Sequence, residues 1–192
     1  THERDKRIIR SYKIDCNGLN LQPVIDTLDF IPAENNNLFG GEMKPVSNNN
    51  LIGVSYQAQK FFYLFSLNRS TGKIQSWLRL NMPFEGIRHF EFSPNGEFMY
   101  ITEAIVNPFT TFLSQYALKT FQADSIISSR NIISTFFDQT NWAFQLAQDN
   151  RIYTSKLNDD STFSVIDFPE RKGLACGFRK TTIKAGFPLF AG

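Results

Sequence analysis

His89 and Glu91 come nearest to an acid/base couple in this sequence, because two residues two apart on a strand share a face and could jointly handle a proton. No nucleophile or third group accompanies them, and a structural or solvated role is the preferred reading. Glu42 precedes Met43 much as Glu91 precedes Phe92, so the two carboxylates recur at neighbouring positions and could share a metal ion. The polar half of a strand alternation produces the same recurrence, and that explanation is preferred. Cys176, in Gly-Leu-Ala-Cys-Gly-Phe, has no general-base partner in sight, so it reads as a buried small side chain or one half of a disulfide. With Cys16 it makes the only cysteine pair, open to either one long-range disulfide or two free thiols.

Metal chemistry has few ligands to draw on. His2 and His89 are the only histidines and no C-x-x-C occurs, which leaves zinc without its usual donors. Asn158, Asp159 and Asp160 could offer oxygens to calcium but lack the spaced pattern of a calcium loop, so a polar turn is expected. Trp77 and Trp142 could stack on a sugar; in strand-like runs they read as packing residues. Asn68-Arg69-Ser70 matches an N-glycosylation acceptor. The expectation is no catalytic residue, no metal and no cofactor, and no ligand can be named.

Composition narrows the class. The chain has 192 residues, 42% hydrophobic and 20% charged, which suits a globular protein with a substantial core. Twenty phenylalanines favour half-buried pleated surfaces. Net charge is +2, and the basic runs at Arg4–Arg10, Arg171-Lys172 and Arg179-Lys180 carry no interleaved stacking aromatics, so a nucleic-acid partner is not expected. No run approaches the ~18 apolar residues of a membrane span. The opening THERDKR is polar, lacks an apolar signal region, and reads as though the chain began partway through a domain.

The elements that must position these residues are short strands. The clearest signal is His89–Thr102: alternating Phe90 and Phe92, the turn Ser93-Pro94-Asn95-Gly96, then alternating Phe98 and Tyr100. Weaker copies lie on either side. Arg7–Ile14 reads as a strand, turned at Asp15–Gly18 onto a partner at Leu19–Leu28, where Pro23 argues for an outer edge. Gly40–Tyr56 turns at Ser47–Asn50, and Phe61–Leu80 turns at Asn68–Gly72. Thr110–Leu118 and the run Ser125–Ile133 follow as further strands. Trp142–Ser155 turns at Gln148-Asp149-Asn150, and Ser161–Phe168 leads into a loop of another kind at 168–178. No amphipathic helix is evident.

Two landmarks recur at about 50 residues: Met43, Phe92 and Leu146 in one strand pair, and Tyr12, Phe65 and Tyr116 in the other. Four-strand units of this length are blades of a β-propeller. The expected fold is all-β: a single partial propeller domain over 1–192, with a half blade at 7–30 and blades at 40–82, 88–135 and 141–190. Three to four blades fall short of the usual closed ring, so the chain reads as a piece of a longer propeller, completed by its remaining blades or by another chain.

Phe-Ser-Pro-Asn-Gly at 92–96 resembles the strand ends of WD-repeat-like propellers. The last third is more specific. Asp149, Ile152 and Tyr153, then Val165, Ile166 and Pro169, then Gly173, Ala175, Cys176 and Phe178, and finally Gly186, Pro188 and Phe190 resemble the closing part of propellers in large Bacteroidetes surface proteins associated with gliding motility and type IX secretion. Glu170 stands where that pattern has Asn, and Phe187 where it has Leu. Asp124-Ser125-Ile126 looks like the O-glycosylation pattern of that phylum. The resemblance implies a non-enzymatic binding or scaffold module, secreted, on the cell surface or in the periplasm, with a protein or glycan met by its loops. The alternative is a lactonase-like or glycan-cleaving hydrolase on the same fold, with Glu42 and Glu91 as channel carboxylates, since fold alone does not fix function.

Overall fold

A computed structural model describes residues 7–29, 41–46, 50–56, 60–84, 86–105, 109–137, 141–156 and 159–184. The His2, Asn158 and Pro32–Asn37 positions, most of the Ser47–Asn50 turn, and the Gly186, Pro188 and Phe190 motif lie outside them. So do the side chains of Trp142, Asp159 and Asp160.

Three four-stranded antiparallel sheets follow one another, each laid down in sequence order. The first holds β5 (Gly41–Pro45), β6 (Leu51–Tyr56), β7 (Phe61–Asn68) and β8 (Lys73–Asn81). The next holds β9 (Gly86–Phe92), β10 (Phe98–Ile105), β11 (Thr110–Ala117) and β12 (Asn131–Phe137). The last holds β13 (Asn141–Leu146), β14 (Ile152–Lys156), β15 (Asp159–Ile166) and β16 (Phe178–Lys184). We refer to them as blades B, C and D. Ahead of them, β1 (Ile8–Ser11) pairs with β4 (Val24–Thr27), and β2 (Ile14–Asp15) with β3 (Gly18–Leu19) forms a small hairpin between them. This smaller element is unit A. The fold is all-β, a partial β-propeller.

Unit A differs in detail from the two long strands expected. The run 7–14 breaks after Ser11, and its partner breaks at Asn20–Pro23, where the Asn20 carboxamide caps the Gln22 N–H at 2.9 Å. Pro23 sits just before β4, where it has no ladder bond to donate. The run Ser125–Ile133 is also corrected: Ala123–Ser128 is a short helix, α1, and β12 starts only at Asn131. Ile126 is its buried anchor, and the Ser129 hydroxyl turns back onto the Ile126 carbonyl. Six residues are too few to show a 3.6-residue period, which is why alternation alone misread them. The loop at 168–178 contains a 3₁₀ turn, Gly173–Cys176.

The repeat register shifts as well. Hairpins close where the Val46 N–H meets the Leu51 carbonyl, Ser93 meets Phe98, and Ala147 meets Arg151. Pro45, Phe92 and Leu146 are therefore equivalent, and the counterparts of Met43 are Phe90 and Phe144. The alignment of Met43 with Phe92 was two residues off, a slip that preserves the facing and so leaves the alternation unchanged.

Blades B and C each present one face to the unit before and one to the unit after, and blade D packs on blade C. Phe90, Phe92, Met99 and Tyr116 of blade C bury against Phe62, Leu64 and Leu80 of blade B. Phe144, Ile152, Ile166 and Cys176 of blade D bury against Phe98, Tyr100 and Leu113 of blade C. Ile9 and Leu28 of unit A bury against Val54, Tyr63 and Phe65 of blade B. Gly53 allows the closest approach: a Cβ there would stand 2.6 Å from Phe92, 2.8 Å from Phe62 and 2.9 Å from Phe90. Three rigid rings thus occupy the space that any other residue would need.

Candidate functional site

The first strand of blade C, β9, adjoins both β5 and β13, and the carboxylates of β5 and β9 point forward to the next blade. Lys44 on β5 is the hub. Its ammonium lies 3.1 Å from Glu42 Oε1 and 3.1 Å from Glu91 Oε2, and donates to the Phe144 carbonyl at 2.7 Å. Glu42 Oε2 accepts from the Phe90 N–H at 3.0 Å, with His89 Nδ1 at 3.8 Å. Glu91 Oε1 accepts from the Phe92 N–H at 2.9 Å, and Glu91 Oε2 accepts from the Leu146 N–H at 3.0 Å. One carboxylate from blade B thus holds the backbone of blade C, and one from blade C holds that of blade D. A lysine ties the pair together.

Electrostatics favour this arrangement. Burial pushes the Glu42 carboxyl up, but His89, Lys44 and the Phe90 N–H together outweigh it and hold the group below the ordinary glutamate range. All four carboxylate oxygens have donors, and three protons on one ammonium match three acceptors. His89 and Glu91 do not work as a couple: the imidazole faces Glu42, while Glu91 is taken up by Lys44 and two backbone amides. The structure does bring Glu42 and Glu91 together. What lies between them is the ammonium of Lys44.

A second polar set is buried within blade C, on the face it turns to blade B. Glu103 on β10 accepts from the Tyr116 hydroxyl at 2.5 Å, from Ser114 Oγ at 2.7 Å and from Arg130 Nε at 3.0 Å. Arg130 Nη2 lies 2.9 Å from Glu103 Oε2 as an ionic contact. The guanidinium covers the Phe84 ring at 4.4 Å, and Phe84 stacks on Phe112. Burial and the adjoining Glu103 raise the Tyr116 phenol, which stays a donor.

A third set hangs the 168–178 loop on blade C. The Tyr100 hydroxyl donates to the Pro169 carbonyl at 2.9 Å. Gln115 Nε2 donates to Tyr100 Oη at 2.7 Å and to the Arg171 carbonyl at 2.8 Å, while Gln115 Oε1 accepts from the Gly173 N–H at 2.7 Å. Cys176 is fully buried under this loop, and burial raises its thiol above the ordinary range, the reverse of what a nucleophile needs. Cys16 sits exposed at the turn between β2 and β3, and both cysteines are free thiols. The weighed pairing of Cys16 with Cys176 is therefore absent: one is at a surface hairpin, the other between two blades.

The remaining sequence candidates fall in turns or packing positions. Ser93 is buried: its Oγ accepts from the Phe98 N–H at 2.9 Å and donates to Asn95 Oδ1 at 2.7 Å. Pro94 fills the turn and Gly96 takes φ 72. Asp149 Oδ1 accepts from the Arg151 N–H at 3.1 Å, and Asn150 adopts φ 62. Trp77 packs beside Phe65, its cross-strand partner, against the core shared with unit A. Asn68 folds its Oδ1 onto the Ser70 and Thr71 N–H groups. Among the described residues no group of three or more His, Cys, Asp or Glu could hold a metal, and no helix is long and apolar enough to cross a membrane.

Lys44, Glu103, Arg130, Tyr100 and Gln115 escaped the sequence reading. Glu103 left one clue: in Phe98–Ile105 it falls on the same parity as Met99 and Ile101, so a charge had to face a core. Lys44 left another, as the cation one rung from Glu42 in the same strand.

No family model and no curated protein matches this chain. Among solved structures, a crystal structure of a protein from Lactobacillus plantarum is similar over 84% of this chain and 48% of that protein, with 17% identity and a TM-score of 0.47. This chain thus spans about half that protein's length.

Proposed function

We propose that this chain is part of a non-catalytic binding or scaffold propeller in a secreted or cell-surface protein, meeting a protein or glycan through its blade-end loops. One observation carries the non-catalytic half of the reading. The place a hydrolase of this fold would need for a cation, between Glu42 and Glu91, is filled by the chain's own lysine ammonium at 3.1 Å from each. Carboxylates whose oxygens each already accept from an ammonium or a backbone amide brace blades, and a metal ion bridging the two would have to displace the lysine. The location outside the cytoplasm, and kinship with gliding and type IX secretion proteins, rest on the resemblance of the motifs between Asp149 and Phe190.

The test is calorimetric titration of the full gene product with calcium, zinc and manganese, alongside a panel of lactones and chromogenic glycosides. The expected outcome is no cation binding that Glu42→Gln abolishes, and no metal-dependent turnover. Turnover lost together in Glu42→Gln and Glu91→Gln would establish the hydrolase instead. Location is checked separately, by protease digestion of intact source cells followed by immunoblotting; protection of the protein until lysis would contradict a cell-surface position.

A further inference from the structure

The rungs that face backward in the three blades are equivalent, yet they are not equally covered. Met43, Phe90 and Phe144 occupy one position on the first strands of blades B, C and D. Phe90 and Phe144 are 0% and 2% exposed, whereas Met43 is 42% exposed. On the second strands, Met99 and Ile152 are wholly buried and Ile52 is only partly so. Farther out the difference vanishes: Phe65 is as buried as Tyr116 and Ile166. Among the described residues, blade B is thus covered over its outer half by β1 and β4 and left open over its inner half. There a cavity of about 340 Å³ is lined by Ile9, Tyr12, Met43, Ile52, Phe65 and Leu67.

Chain order says what belongs there. In each complete sheet the strands run from the first to the fourth position, and the fourth leads directly into the first strand of the next blade. β4 leads into β5, and β1 and β4 bury their apolar side chains against the outer half of blade B. They therefore hold the third and fourth places of their unit. Its first and second places call for two further strands.

We propose that an antiparallel hairpin, encoded immediately before Thr1, adds to β1 and covers Met43 and Ile52 as blades B and C cover their successors. Its strands would alternate, with apolar side chains aimed at Met43, Ile52 and Leu67, and their backbones would extend the β1–β4 ladder. This assignment concerns how the array is completed and is independent of whether the module binds or catalyses.

The test uses the full gene product with a photo-cross-linking amino acid encoded at Met43. After irradiation and digestion, cross-links to peptides preceding Thr1 are expected. Links to a second copy of the chain, or to sequence following Gly192, would overturn the assignment and name the alternative occupant. A parallel Met43→Cys variant in a Cys16→Ser background reports coverage directly. Its thiol should react with a maleimide roughly a hundredfold more slowly than that of Leu174→Cys, a 77%-exposed reference. Equal rates would mean that nothing covers the site. Should either variant fail to fold, hydrogen exchange in the unsubstituted product decides, since protection across Ile8–Ser11 must match that across Thr110–Ala117.

Discussion

The B–C and C–D junctions both bury apolar side chains but are locked by different chemistry. B–C is closed by rings and charges: Phe90 and Phe92 occupy the gap left by Gly53, Glu42 and Lys44 reach across to the Phe90 N–H and Glu91, and on the face that blade C turns to B, Glu103 and Arg130 form an ion pair under Phe84 and Phe112. C–D is closed mainly by neutral hydrogen bonds, with Tyr100 and Gln115 gripping the backbone of the 168–178 loop. The inner-strand carboxylates run through both. A charged lock fails abruptly when one member is removed, because the other is left buried without a counter-charge. A neutral lock gives way bond by bond. Repeats that look alike in outline can therefore differ in how cooperatively they separate.

The largest expected effect comes from Arg130→Ala. It strands Glu103, whose side chain is 1% exposed, with only the Tyr116 and Ser114 hydroxyls for company. We expect a loss of about 3 kcal/mol in denaturant unfolding, the low end for a broken buried pair because Arg130 itself is 18% exposed. Arg130→Lys should recover little of it, since an ammonium cannot both stack on Phe84 and reach Glu103. A loss below 0.5 kcal/mol, typical of surface changes, would show that the pair does not brace the face of blade C that meets blade B.

Gln115→Ala probes the other side. It leaves the Gly173 N–H and the Arg171 carbonyl without their partner and costs Tyr100 one of its two contacts. The expected global loss is about 2 kcal/mol. The more telling effect is local: amides between Phe168 and Phe178 should exchange faster while those of β6 and β7 keep their protection. If both regions loosened together, the two junctions would be one cooperative unit.

These locks also show what the sequence could and could not convey. Alternation in His89–Thr102 and turn residues such as Asn95-Gly96 and Asp149-Asn150 are local signals, and they located hairpins directly. The fourfold unit showed in the spacing, because every blade spends a similar length of chain on its strands. Partners across a junction are different. Glu42 and Phe90, or Tyr100 and Pro169, meet only once two sheets have stacked, and no periodicity within either strand encodes the meeting. Lys44 between Glu42 and Glu91 belongs to the same class. Its role depends on a register two residues away from the one alternation implied, and alternation is blind to shifts of two.

Acid titration gives the smallest effect and separates the junctions most selectively. The Glu42 carboxyl is depressed in the folded protein. Its stabilising share is therefore complete above the unfolded glutamate value near 4.3 and is lost as pH falls through the lower folded value. Protonation weakens the Lys44 contact and the bond from the Phe90 N–H, both on the B–C side. The Gly173 N–H is bound by the neutral amide of Gln115, which does not titrate. Corrected for intrinsic exchange rates, protection at Phe90 should fall by about 1 kcal/mol or less below pH ~4, while protection at Gly173 stays level. In Glu42→Gln the fall at Phe90 should disappear, because the amide oxygen still accepts the bond but no longer changes charge. Phe90 and Gly173 losing protection in step, in both proteins, would mean that acid opens the array as a whole, and the difference between charged and neutral locks would carry no energetic weight.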